Sequence, residues 1–178
     1  MAKKKDNPTA EWMGNDLSSE KAYTFVIKRL EFLVRKSFRY DIWQKRSKIG
    51  AKDCPICKEN FYYLKPESHH YPLTLFDIVD NILQHHIEEN DLDDYTEFEI
   101  CDEIMNKHFT NQVDFVVLCK QCHEKYHDNV PDVVTAMPKA QQTQKAEVKN
   151  YFNKDISSSA LSNNSSEEEK LESIPVSS

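Results

Sequence analysis

Residues 118–127 read Leu-Cys-Lys-Gln-Cys-His-Glu-Lys-Tyr-His. Cys119 and Cys122 stand at CxxC spacing, and His123 and His127 follow four residues apart. Thiolates and imidazoles are the usual ligands of zinc and related ions. Histidines at i and i+4 fall on one face of a helix, one turn apart, where both can grip a single ion. Directly before the first cysteine, Phe115-Val116-Val117-Leu118 is the strongest strand signal in the chain. The stretch predicts a strand that runs straight into a ligand-bearing helix.

Upstream lie a second CxxC, Cys54 and Cys57, and a vicinal pair, His69 and His70. The chain has five cysteines, four of them in these two pairs, and its first residues lack the apolar core of a secretory leader, so metal is favoured over disulfides. Cys54, Cys57, Cys119 and Cys122 form a complete tetrahedral thiolate set, the closed kind of zinc site that holds a fold. Cys101 is expected to be a buried apolar residue of a helix. His85, His86 and His108 sit in helical patterns and read as structural or exposed, which leaves His69, His70, His123 and His127 for chemistry.

The rest of the chain reads as mainly helical α+β. Residues 1–15 are polar and expected to be disordered, and 16–50 carry one long amphipathic helix from about 19 to 46. Its apolar stripe is Tyr23, Val26, Ile27, Leu30, Leu33, Val34 and Phe38. Lys28, Arg35, Arg39 and Arg46, spaced 7, 4 and 7 apart, stack on a line opposite that stripe. That line is a solvated face or a phosphate-tracking surface. The metal core spans 51–131, interrupted by a helical insertion over 72–110. In the insertion Leu75, Ile78, Val79, Ile82, Leu83 and His86, then Phe98, Cys101, Ile104, Met105 and His108, keep helical spacing. From 132 to 178 the chain turns polar and Ser/Glu-rich and reads as a flexible tail.

Net charge is −7 but segregated. Residues 1–65 carry 15 Lys/Arg against 8 Asp/Glu, whereas residues 66–114 carry 1 against 13. Only the basic part would attract nucleic acid; the acidic insertion and the tail would suit a protein partner. No apolar run approaches the roughly 20 residues of a membrane span, so no membrane association and a cytoplasmic location are expected.

The order CxxC, His-His, strand, Leu-Cys-x-x-Cys-His-x-x-x-His resembles the HNH endonucleases of the His-Me finger class over Cys54 to His127. The resemblance implies a zinc-bound ββα core that pinches one divalent ion, Mg²⁺ or another, beside the structural zinc. It implies His69, His123 and His127 as ligands of that ion, and His70 as the general base that activates water. The family's middle asparagine has its counterpart at Asp114, or at Asn111 three residues earlier. The implied activity is hydrolysis of phosphodiester bonds, with DNA the expected substrate. Two other readings stand beside it. One is a catalytically inactive HNH-like zinc module that binds nucleic acid or a protein partner. The other takes His123-Glu124-Lys125-Tyr126-His127 as the HExxH motif of a zinc metalloprotease, with Glu124 as base. The Lys/Asn/Asp-rich, Gly-poor style also suggests a bacteriophage protein, acting in the host cell.

Overall fold

The computed structural model describes residues 11–145. Elements follow in the order β1 (Glu11–Trp12), β2 (Asn15–Asp16), α1 (Glu20–Lys36), α2 (Phe38–Arg46), β3 (Pro66–His70), α3 (Leu75–Glu89), a 3₁₀ turn (Leu92–Asp94), α4 (Glu97–Phe109), β4 (Phe115–Cys119) and α5 (Lys120–His127). A further helix, α6, runs over 131–145. The fold is mainly helical α+β with a small two-stranded sheet, as the hydrophobic periods predict.

The insertion folds as its pattern dictates. Leu75, Ile78, Val79, Ile82, Leu83 and His86 are the buried residues of α3. Thr74 and Asp77 close a reciprocal capping box at its start, and Thr96 and Glu99 do the same for α4. Each box satisfies backbone N–H groups that the first turn leaves without partners. These helices pack with Val26, Ile27, Leu30 and Val34 of α1 into the larger of two cores, which also takes in Cys101 as expected. Phe98 departs from its expected place and is exposed.

The long N-terminal helix is broken. Ser37 is extended, with ψ 144°, and its hydroxyl accepts the N–H of Tyr40, so it ends α1 and caps α2. The break redirects α2: Phe38 leaves the core and becomes 76% exposed, while Trp43 is buried on β3 and β4. Residues 11–15, expected to be disordered, form a hairpin with Asp16 through Met13 and Gly14, both with positive φ. Trp12 anchors it, buried, with Nε1–H donating to the Tyr95 carbonyl. Residues 1–10 lie outside the described residues.

β3 and β4 pair antiparallel, Pro66 with Cys119 through His70 with Phe115. One face of the pair meets the larger core. The other meets a second core of Cys54, Val116, Leu118, Cys119, Cys122, Met137 and Ala140. The last two of these belong to α6, so the flexible tail expected from 132 onward is corrected as far as residue 145. Gln144 explains the attachment: its side-chain carbonyl accepts the Val117 N–H at 2.7 Å and its NH₂ donates to the Val117 carbonyl at 2.8 Å. The amide acts as a one-residue third strand on β4, satisfying a backbone that would otherwise be an unpaired buried edge. The tail beyond 145 lies outside the described residues.

Candidate metal centres

Three segments build the first cluster. The turn holding Cys54 and Cys57 is closed by Lys58 N–H to the Cys54 carbonyl (2.8 Å) and Cys54 N–H to the Glu59 carbonyl (2.9 Å). Cys119 ends β4 and caps α5, its sulfur accepting the Cys122 N–H at 3.5 Å. The four sulfurs lie within 4.8 Å of one another, none is in a disulfide, and only Cys57 is exposed. Burial pushes the Cys54 thiol up, but N–H groups of Cys119, Cys57 and Ile56 outweigh it and lower the pKa. Burial and neighbouring sulfurs raise Cys122 and Cys57. A tetrahedron with zinc–sulfur bonds of about 2.3 Å has edges of about 3.8 Å, and Cys57 Sγ stands 3.8 Å from Cys119 Sγ. The four cysteines fit a zinc ion.

The second cluster is His69 from β3 with His123 and His127 from α5, their ring nitrogens again within 4.8 Å of one another. His123 Nε2 is 2.9 Å from His69 Nδ1 and 3.1 Å from His127 Nε2. A neutral imidazole nitrogen has either one proton or one in-plane lone pair, so His123 Nε2 cannot hydrogen-bond both neighbours well. A cation resolves the conflict. Ligand bonds of about 2.1 Å put nitrogens about 3.0 Å apart on an octahedral ion and about 3.4 Å apart on a tetrahedral one, so a small relaxation of the two distances would admit either. Burial, then the charges of His123 and His127, pull the His69 pKa down to about 4, so its ring is neutral, as a ligand must be.

Glu67 completes this cluster, and the sequence reading did not single it out. Its Oε2 accepts from His123 Nδ1 at 2.7 Å. A carboxylate can only accept here, so the His123 proton sits on Nδ1 and the Nε2 lone pair is aimed at the other rings. This is the carboxylate–histidine arrangement that orients metal ligands. The available signal was the period of two in β3, which puts Glu67 on the same face as His69.

His70 is not part of that cluster. As the next residue on the strand it points to the opposite face, stacks on Trp43 with ring centroids 5.1 Å apart, and meets His108 Nε2 through its own Nε2 at 2.9 Å. His108 Nδ1 donates to the Ile104 carbonyl at 2.7 Å, so its Nε2 accepts and His70 Nε2–H donates. Burial above all, then the charges of His108, Arg35 and His69, bring the His70 pKa down to about 3. That is far below where a general base works best. His70 thus takes a packing and hydrogen-bonding place against Trp43 and His108, away from the three-histidine cluster.

The other expected site residues are dispersed. Asn111 is exposed in the turn after α4, with φ 58°. Asp114 pairs with Lys145 at 2.6 Å. Glu124 of the HExxH match is exposed on α5, 3.7 Å from Lys120. The basic line is split by the break at Ser37. Lys28 and Arg35 are on α1, where Arg35 pairs with Glu31 at 3.4 Å. Arg39, on α2, pairs with Asp102 at 2.8 Å and donates to Asn106, and both Arg39 and Arg46 stand over the Phe109 ring. The four do not form one phosphate-tracking line. His86 is buried, with Nδ1 to Asp91 and Nε2 to Glu103, both at 2.8 Å. Burial pulls its pKa down, but the two carboxylates outweigh that and raise it.

No described helix is long and apolar enough to cross a membrane. No curated protein and no solved structure matches the chain. A family model described as Bacteriophage G278-like virion protein matches residues 1–172, and the chain belongs to that family.

Proposed function

We propose that this bacteriophage virion protein hydrolyses phosphodiester bonds in nucleic acid, DNA in the first instance, at its three-histidine centre. The four-cysteine centre would hold zinc and fix the β3–β4–α5 unit. The observation that carries the reading is the convergence of His69 from a strand with His123 and His127 from the following helix, next to the four-cysteine cluster. The three imidazoles would fill part of a coordination sphere, and the exposure of His127 opens the remainder to solvent. A divalent ion held there would stabilise charge on the phosphoryl oxygens and acidify water, the task that His70 is not placed to perform. Glu67 holds the His123 ring in its tautomer and direction. The all-nitrogen donor set suits zinc, manganese, cobalt or nickel better than Mg²⁺, which favours oxygen. A site of action in the host cell, where a phage protein meets nucleic acid, goes with this reading.

Zinc-loaded protein supplied with Mn²⁺, Co²⁺, Ni²⁺ or Mg²⁺ is expected to nick supercoiled plasmid. His123→Ala and His127→Ala should each lower the rate at least about 100-fold, the scale of losing a catalytic group, with zinc retained on the cysteines. Wild-type protein inert with every ion would remove the enzymatic reading.

A second reading has its own support. With His70 sealed between Trp43 and His108, and Asp114 paired with Lys145, none of the expected proton-transfer residues faces the trio. A non-catalytic, metal-stabilised virion module that binds nucleic acid, or a protein through the acidic insertion, fits that observation. Binding without cleavage, unaffected by His127→Ala, would favour it.

A further inference from the structure

The loop between the first CxxC and β3 carries two aromatic rings that the fold does not use. Tyr62 and Tyr63 are 87% and 82% exposed. They meet edge to face, with centroids 5.0 Å apart and planes at 84°, so their outer faces are open. The backbone beneath them is held firmly. Phe61 N–H donates to the Lys52 carbonyl at 2.8 Å, Tyr62 N–H to the Asn60 side chain at 2.8 Å, and Tyr63 N–H to the Asn60 carbonyl at 3.2 Å. Asn60 is itself tied to Asp53 at 2.9 Å. The two rings are thus presented on a hydrogen-bonded loop that follows the first CxxC pair in the chain.

The tip is basic. Residues 45–65 hold six Lys/Arg against two Asp/Glu. Among the described residues, Lys48, Lys52, Lys58 and Lys65 form no ion pair, in contrast to the arginines of α1 and α2. Lys65 directly precedes β3, the strand that carries Glu67 and His69. Glu67 is the partner of His123, so the chain passes from the tip straight into the strand that helps build the three-histidine centre.

We propose that Tyr62 and Tyr63, with Lys48, Lys52, Lys58 and Lys65, form a contact site for a single-stranded nucleic acid segment, leading it to the three-histidine centre. Aromatic faces on a positive surface are the recurrent means of holding unpaired bases without sequence preference. A duplex buries its base faces in its own stack and offers the rings nothing comparable. The lysines meet the phosphates, and the charge of the tip is opposite in sign to that of its ligand. The final clause of the proposal rests on the nuclease reading; the binding clause does not.

The test is fluorescence anisotropy with a labelled oligothymidylate and a labelled duplex, using the full zinc-loaded chain without added catalytic ion. Wild type is expected to bind the single strand more tightly than the duplex. Tyr62→Ala with Tyr63→Ala should weaken single-strand binding at least about tenfold, as loss of base stacking does, and the double Phe variant should bind as wild type. Lys52→Ala, Lys58→Ala and Lys65→Ala together should reduce the salt slope by about 2, at roughly 0.7 per phosphate contact. Zinc content and melting should be unchanged in the Tyr variants. Single-strand affinity equal in wild type and in the Tyr62→Ala, Tyr63→Ala variant, or no single-strand binding by wild type, would overturn the proposal. His127→Ala should bind as wild type while failing to nick plasmid. Tyrosine-dependent binding by a wild-type protein that nicks nothing would defeat the nuclease reading and leave the contact site standing.

Discussion

His69 and His70 are chain neighbours whose rings lie on opposite sides of the β3–β4 pair. His69 faces α5, where it meets His123, while His70 faces the larger core, where it stacks on Trp43 and donates to His108. Variants should separate the two roles. His70→Ala and His108→Ala each leave a buried partner unsatisfied and a cavity, and should cost about 2–4 kcal/mol in urea unfolding. The ion at the trio should be retained. His69→Ala should lose that ion, which metal analysis of the purified variants reads directly.

Glu67→Gln keeps the size of the side chain but removes the carboxylate that fixes the His123 tautomer. Affinity at the three-histidine centre should fall about 10- to 100-fold, the usual effect of losing such a partner. Competition against a metal indicator measures this, and the zinc on the cysteines should be unaffected.

The four-cysteine centre ties β4, α5 and the loop before β3 together, and the smaller core is built around it. Structural zinc contributes on the order of 10 kcal/mol to such units. Cys119→Ser, or a strong chelator, should therefore abolish the ordered near-UV circular dichroism of the β3–β4–α5 unit. A chelated protein with an unchanged spectrum and melting point would show that the cage is not structural.

How much of this was legible in the sequence depended on whether the signal was local. The two CxxC pairs and the HxxxH turn have the local spacing of metal ligands, the resemblance adds His69, and the structure brings these residues together as two clusters. The buried face of α3 was readable because its period is uninterrupted. The break at Ser37 was not, because the apolar spacing continues through it to Phe38 and only a serine hydroxyl decides the matter. His70 parts from His69 because neighbours on a strand face opposite sides, a period of two that is readable once 66–70 is taken as a strand. Gln144 acts across 27 residues of chain, which no local pattern carries, and the partner of Glu67 lies 56 residues away, although the period of β3 already puts Glu67 on the face of His69.

His86 sets a pH dependence. Both ring nitrogens face carboxylates, which only accept, so the bound form is the imidazolium, and its pKa is raised. A raised pKa contributes stability that is fully present below the unfolded value of about 6.5 and is lost as pH rises through the folded value. Wild type should exceed His86→Gln in stability most at acid pH, with the gap narrowing above neutrality in paired denaturant titrations. A gap that widens with pH would contradict the pairing.

The most direct measurement is a count of bound metal. Wild type and the variant combining His69→Ala, His123→Ala and His127→Ala are dialysed to equilibrium against zinc, and metal per chain is measured. Two ions in wild type and one in the variant are expected, the survivor being held by the cysteines. One ion in both would contradict the three-histidine centre and the chemistry assigned to it.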